Sequence, residues 1–160
     1  MFRVFLPLAA EAVRKPKEET IRPPETKGGG TVLLIEDTDQ VRQLGVRMLE
    51  YLGWRVLAAR DGMEGVAIFR ERSEEIDWVL SDLTMPRMDG WKTIAALRQI
   101  RPEIPVILAS GYDEASVMSG DHAEQPQVFL GKPYSLEDLR AAIGKVQKAV
   151  EIEVRSQPVR

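Results

Sequence analysis

The sequence contains no cysteine, so disulfide bridges and thiolate metal sites are excluded. No apolar run approaches the roughly 18 residues of a membrane span, which predicts no direct membrane contact by this chain. Basic residues do not outnumber acidic ones, and the formal net charge is -3 at pH 7. Binding to DNA or RNA needs a basic face, and we therefore expect no nucleic-acid partner.

The N-terminal residues differ in composition from the rest of the chain. Residues 14–30 are rich in Lys, Glu, Pro and Gly, which cannot bury enough apolar surface to form a core. Pro7 divides the short apolar run before them, which argues against a signal peptide. We predict a tail and linker over residues 1–29, one domain over 30–150 and a second tail over 151–160.

From residue 31 onward, apolar runs of strand length alternate with segments of helical period. Because 44% of the 160 residues are hydrophobic, the chain can build one core. Strands are predicted at residues 31–36, 54–58, 77–81, 105–109 and 127–130, and helices at 41–52, 62–72, 91–100, 113–120 and 136–150. This alternation predicts an α/β fold: a doubly wound, five-stranded parallel sheet with the flavodoxin-like strand order 2-1-3-4-5.

Polar side chains stand at the ends of four of the five predicted strands. They are Glu36 and Asp37, Asp82, Ser110, and Lys132. In open parallel sheets the carboxyl ends of the strands meet at the edge that binds ligands. Clustered carboxylates repel each other, which raises their pKa values unless a cation such as Mg²⁺ neutralises them. Acids, a divalent ion, a lysine and a hydroxyl are suited to phosphoryl transfer. A metal-free network of surface acids is the structural alternative.

Four motifs resemble one known family. They are LLIED at 33–37, DLTMPRMDG at 82–90, LASG at 108–111 and FLGKP at 129–133. Over residues 30–150 the chain resembles the receiver domain of two-component response regulators. The resemblance implies that Asp82 accepts a phosphoryl group from a phosphohistidine. It also implies that Asp37 ligates Mg²⁺ directly, that Glu36 does so through water, and that the backbone carbonyl of Thr84 is a further ligand.

The resemblance also assigns a switch. Lys132 would pair with Asp82 and then with the phosphoryl group, and Pro133 would follow a cis peptide bond. Ser110 would donate a hydrogen bond to the phosphoryl group and Phe129 would rotate inward behind it, which would reshape the face of the fourth helix, fifth strand and fifth helix. That face could also form a homodimer.

Two positions flank the expected path of a hydrolytic water. Thr84 and Tyr112 lie two residues beyond Asp82 and Ser110. The bulky Tyr112 is expected to slow loss of the phosphoryl group. The sequence departs from the commonest receiver pattern by Ser-Gly where many have Thr-Ala, and by Glu-Asp where Asp-Asp is frequent; neither change removes a function.

A second enzyme class fits part of the sequence. Asp37, Asp39 and Val41 match the Asp-x-Asp-x-Thr/Val signature of haloacid-dehalogenase-like phosphatases, with Asp37 as nucleophile and Asp39 as acid/base. That family needs acidic metal ligands on a strand after the lysine, and only a helix is predicted after Lys132. The single histidine, His122, is interpreted as a solvated loop residue, and Met85, Met88 and Trp91 as packing residues.

Two contexts for such a receiver stay open. The segment FRVFLP at 2–7 resembles the final strand of a histidine-kinase ATP-binding domain, which favours the receiver of a hybrid sensor kinase over a free-standing response regulator. No nucleotide-binding motif or output domain is recognised in the chain, so we expect no phosphorylation from ATP. The expected partner is a histidine kinase or a histidine phosphotransfer protein. The expected location is cytoplasmic, with a parent protein that is membrane-anchored.

Overall fold

The computed structural model describes residues 29–156, apart from the side chain of Met118. Five parallel strands form one sheet in the order β2-β1-β3-β4-β5. The strands are β1 (Thr31–Ile35), β2 (Arg55–Ala59), β3 (Ile76–Asp82), β4 (Val106–Ser110) and β5 (Val128–Gly131). The helices are α1 (Asp39–Tyr51), α2 (Gly62–Arg72), α3 (Gly90–Ile100), α4 (Glu114–Met118) and α5 (Leu136–Ser156). The predicted fold class and strand order are confirmed.

The sheet has a hydrophobic layer on each face. Successive side chains of a strand point to opposite faces, so Val32 and Leu34 pack against α1 and α5, whereas Leu33 and Ile35 pack against α2 and α3. Every residue of β1 and β4 is buried. The continuous apolar runs in the sequence are therefore those of strands covered on both faces.

Several element ends differ from the prediction. Asp82 and Ser110 are the last residues of β3 and β4, so the strands themselves carry them to the sheet edge. Helix α4 ends at Met118, before the predicted end at residue 120, because Ser and Gly follow. Helix α5 continues past residue 150 to Ser156, since the residues EIEVRS contain no helix breaker.

Some predictions fall outside the described residues. These are the linker, the absence of a signal peptide and the kinase-like strand at residues 2–7. Between residues 29 and 156, no helix is both long and apolar enough to cross a membrane.

Candidate functional site

The loop after β3 fixes the position of Asp82. The N–H of Leu83 donates to the carbonyl of Ala109 on β4 (2.8 Å), and the N–H of Gly90 donates back to the carbonyl of Leu83 (2.8 Å). Asp89 caps α3 by accepting a hydrogen bond from the N–H of Lys92 (2.9 Å). A Cβ atom on Gly90 would lie 2.7 Å from the carbonyl oxygen of Asp82, so this close approach requires glycine.

Three carboxylates lie together at the carboxyl edge of the sheet. Glu36 and Asp82 are buried, Asp37 stands at the rim, and one oxygen of each lies within 4.8 Å of the others. They meet because β1 and β3 are neighbours in the sheet. Oε1 of Glu36 accepts a hydrogen bond from the N–H of Thr38 (3.1 Å).

Lys132 reaches two of these carboxylates. Its Nζ lies 2.6 Å from Oε2 of Glu36 and 3.1 Å from Oδ1 of Asp82. Its backbone N–H donates to the carbonyl of Ser110 (2.7 Å), and the expected cis bond to Pro133 is present. The pairing with Asp82 was expected from the resemblance, whereas the shorter pairing with Glu36 was not.

Burial is the largest influence on the acidity of these groups. It raises the pKa of Asp82 and of Glu36, and the nearby ammonium of Lys132 offsets this only in part. Repulsion between carboxylates, which the sequence suggested as the cause, raises both pKa values by less. Burial alone would lower the pKa of Lys132, but its hydrogen bond to Glu36 and the charge of Asp82 reverse the sign and raise it.

The raised pKa of Asp82 predicts that Asp82→Asn stabilises the metal-free protein at neutral pH. A carboxyl group with a higher pKa in the folded state binds protons more tightly there, so its contribution to stability falls as the pH rises through the folded-state pKa. Asn lacks this penalty. In urea unfolding with a chelator, the free energy of unfolding of the variant should rise relative to that of wild type between about pH 4 and pH 7. A constant difference would contradict the expectation.

The remaining predicted residues surround this cluster. Ser110 is buried, and its Oγ accepts a hydrogen bond from the N–H of Tyr112 (3.0 Å). The Tyr112 side chain is 67% exposed. The backbone N–H of Thr84 faces the carboxylate of Asp82 and lowers its pKa slightly. Phe129 is half-buried.

An aromatic group next to Phe129 was not anticipated. The ring of Trp91 packs edge-on against Phe129 with centroids 6.1 Å apart, and it stacks on His122 at 3.8 Å. His122 lies in a loop, as interpreted, but its ring is half-buried against Trp91 and is only partly solvated. Met85, Met88 and Trp91 pack against the core as predicted.

Comparison with known families identifies this arrangement. The sequence profile of the response regulator receiver domain matches residues 32–144, which is most of the chain. The chain belongs to this family. It is a receiver domain of two-component systems, and receiver domains interact with histidine kinases or phosphotransfer proteins. Because the chain belongs to the receiver family, the alternative of a haloacid-dehalogenase-like phosphatase with Asp37 as nucleophile is set aside.

Curated relatives of this receiver domain include a kinase and a response regulator. The chain is 38% identical over 149 residues to the sensor kinase CckA of Brucella abortus, covering 89% of this chain and 16% of CckA. It is 27% identical over 122 residues to the response regulator MprA of Mycobacterium ulcerans, covering 76% of this chain and 52% of MprA. The chain thus spans only part of each relative.

Solved structures agree with the fold. A response regulator receiver domain protein from Clostridium thermocellum superposes with a TM-score of 0.71 at 28% identity, covering 78% of this chain and 98% of that one. The receiver domain of the hybrid histidine kinase CckA superposes with a TM-score of 0.63 at 32% identity, covering 73% and 98%.

Proposed function

We propose that this receiver domain accepts a phosphoryl group on Asp82 from a phosphohistidine, in a reaction that depends on Mg²⁺. The observation that carries the proposal is the placement of the Asp82 carboxylate. It is buried at the ligand-binding edge of the sheet, within 3.1 Å of the ammonium of Lys132 and beside two further carboxylates.

The donor set fits a hard cation. Carboxylate and carbonyl oxygens are the ligands that Mg²⁺ prefers, and Asp37, Asp82 and the carbonyl of Thr84 would hold it. Both oxygens of Glu36 are already engaged, one by Thr38 and one by Lys132, which favours an outer contact through water. When bound, the ion would neutralise charge on the transferring group.

The chain's own residues supply the rest of the chemistry. An oxygen of Asp82 forms the new bond to phosphorus as the bond between phosphorus and the donor histidine nitrogen breaks. The ammonium of Lys132 stabilises negative charge on the phosphoryl oxygens and needs no reorganisation, because Glu36 already holds it in place.

Phosphorylation would then act on the neighbouring strands. A phosphoryl group adds negative charge and acceptor oxygens, and the hydroxyl of Ser110 can donate to one of them. Its Oγ accepts from the N–H of Tyr112, which leaves the hydroxyl proton available for donation. Movement of Ser110 would let Phe129 turn inward, which couples Asp82 to the face formed by α4, β5 and α5. This face is also where we place homodimer formation.

Site mapping tests the proposal. The protein is incubated with acetyl phosphate or a phosphorylated histidine phosphotransfer protein, with Mg²⁺ or with a chelator. Borohydride reduction followed by peptide mass spectrometry then locates the acyl phosphate. We expect modification at Asp82 only when Mg²⁺ is present. Modification at Asp37, or none with any donor, would overturn the proposal.

Metal binding should be visible as added stability. A ligand that binds only the folded state stabilises it by about 2.7 kcal/mol at a hundred times its Kd. We expect Mg²⁺ to raise the thermal midpoint of wild type and to have little effect on Asp37→Asn. Calorimetry of both proteins across a Mg²⁺ titration measures this. Equal shifts in the two proteins would place the ion elsewhere.

Tyr112 is expected to prolong the phosphorylated state. Its large side chain stands beside Ser110 at the rim of the site, where it can hinder a hydrolytic water. Tyr112→Ala should shorten the lifetime of the phosphoprotein, measured after removal of the donor. Tyr112→Phe is the matched control and should keep the wild-type lifetime. An unchanged lifetime in Tyr112→Ala would contradict the role.

The similarity to CckA supports a hybrid sensor kinase as the parent protein. The alignment covers 89% of the chain, which is more than residues 32–144 of the receiver profile. The receiver would then face the cytoplasm and relay phosphate between histidines. Immunoblotting of cell extracts with an antibody to this domain should detect a protein much larger than 18.0 kDa. A band at 18.0 kDa would favour a free-standing regulator.

A further inference from the structure

Three aromatic rings form a row from β5 to the loop between α4 and β5. The ring of Phe129 packs against that of Trp91 with centroids 6.1 Å apart and planes 61° apart. The ring of Trp91 also stacks on His122, with centroids 3.8 Å apart and planes 7° apart. Trp91 lies in the first turn of α3, and all three residues are half-buried. The row therefore connects β5 to this loop through α3.

The loop is shaped around the ring of His122. A Cβ atom on Gly120 would lie 2.5 Å from Nε2 of His122, so the chain passes close to the ring at a residue without a side chain. The N–H of His122 donates to the carbonyl of Gly120 (3.1 Å), and the side-chain amide of Gln125 donates to the carbonyl of His122 (3.1 Å). These contacts hold the backbone that carries the ring against Trp91.

Arg98 fastens the same loop to α3 at a second point. Residues 91 and 98 are about two helical turns apart, so both lie on one side of α3. The guanidinium of Arg98 donates to the carboxylate of Glu124 (2.9 Å) and to Oε1 of Gln127 (3.1 Å). Oε1 of Gln127 also accepts from the N–H of Val106 at the start of β4 (2.7 Å). The loop is thus held along one side of α3 up to the start of β5.

Phe129 cannot turn without disturbing this row. On β5 it stands opposite Leu108 of β4, and its ring packs against the hydrophobic layer that lies under α2 and α3. Side-chain torsions occupy staggered positions about 120° apart, so an inward turn of Phe129 carries its ring away from its present place beside Trp91. The edge contact is lost unless Trp91 follows, and the stack on His122 restrains Trp91. The row therefore opposes the turn that phosphorylation of Asp82 would favour.

We propose that Trp91 and His122 form an aromatic latch that holds Phe129 in its unphosphorylated orientation. The inference rests on the phosphoacceptor function of Asp82 and adds a control on it. Trp91 touches Phe129 directly and His122 acts through Trp91, so both are positioning residues. An edge-to-face aromatic pair is worth about two- to tenfold in an equilibrium constant. Because coupling between sites is reciprocal, a phosphoryl group on Asp82 that turns Phe129 also weakens the stack on His122.

Proton NMR of the untagged full chain reads the latch directly. His122 is the only histidine in the sequence, so its ring gives one set of imidazole signals. The stacked indole should shift these signals upfield, and Trp91→Leu supplies the reference for an unstacked ring. With Mg²⁺ and excess acetyl phosphate at one fixed pH, we expect the wild-type signals to move towards this reference. Asp82→Asn should show no movement under the same conditions.

Phosphorylation rates test the control on Asp82. When only a fraction of the protein is in the competent orientation, the apparent affinity for the phosphoryl donor is reduced by that fraction. His122→Ala loosens the latch, so intact-mass spectrometry should show labelling by acetyl phosphate about two- to tenfold faster than in wild type. His122→Phe is the matched control, because its ring can still stack on Trp91, and it should keep the wild-type rate. A merely structural role for the ring would lower stability without raising this rate.

Two results would overturn the latch. One is a set of imidazole signals that stays in place while intact mass shows that Asp82 is phosphorylated. The other is an equal labelling rate for wild type, His122→Ala and His122→Phe. In both cases the phosphoryl adduct still forms, so the phosphoacceptor function stands. The absence of any adduct on wild type would instead remove that function, and the latch with it.

Discussion

We expect the substitution Asp82→Asn to abolish phosphorylation of the protein. The carboxylate oxygen is the attacking atom, and the amide of Asn has no comparable nucleophile. Asn keeps the shape of the side chain and can still accept a hydrogen bond from Lys132, whose Nζ lies 3.1 Å from Oδ1 in wild type. Intact-mass spectrometry after incubation with acetyl phosphate and Mg²⁺ should show one phosphoryl adduct on wild type and none on the variant.

Asp89→Asn provides the matched control for this experiment. Asp89 belongs to the same loop and caps α3, and Asn caps helices about as well as Asp. The control should therefore be phosphorylated like wild type. Because Asp82→Asn is also expected to be at least as stable as wild type at neutral pH, lost labelling cannot be attributed to unfolding. An adduct on Asp82→Asn would return Asp37 to consideration as the nucleophile.

The sequence allowed the site residues to be predicted where their position depends on the end of a strand. The parallel sheet was evident from apolar runs alternating with helical segments, and the topology brings the ends of β1, β3, β4 and β5 to one edge. Glu36, Asp82, Ser110 and Lys132 could therefore be placed together before any contact was known. The close approach of Gly90 to the carbonyl of Asp82 then explains why glycine stands at the start of α3.

Contacts that depend on side-chain reach could not be predicted in this way. The pairing of Lys132 with Glu36 joins residues 96 positions apart, and it depends on how far a flexible side chain extends across the crevice. The stack of His122 on Trp91 depends on the path of the loop after α4, which has no periodic pattern. Both contacts come from tertiary packing, which local sequence does not encode.

The length of α5 shows a different limit. Residues 151–156 carry good helix formers, but their pattern shows no buried face, so the helix was predicted to end with the core at residue 150. In the structure the helix continues to Ser156, and this extension lines a groove next to Trp54 and Trp78. The spacing of buried apolar residues predicts only the part of a helix that packs on the core, so it cannot predict an extension beyond the core.

Lys132→Met is expected to have the second largest effect on activity. The ammonium is the one basic group of the described residues that contacts the carboxylates of both Glu36 and Asp82. Loss of one preorganised donor of this kind typically lowers a rate by about 10²- to 10³-fold. We expect a loss of that size in the rate of phosphorylation by acetyl phosphate. The exposed Lys145 of α5 supplies the control Lys145→Met, which should leave the rate unchanged.

The same substitution should also change how stability depends on pH. Without the ammonium, only the backbone N–H groups of Thr38 and Thr84 offset the burial of Glu36 and Asp82, and the pKa of each carboxyl rises further above its ordinary value. The variant should therefore lose stability relative to wild type as the pH rises from about 4 towards 7, by about 1–3 kcal/mol. Urea unfolding with a chelator measures this. A variant that lost phosphorylation but kept the wild-type pH profile would show that Lys132 acts on the phosphoryl group without holding the two carboxylates.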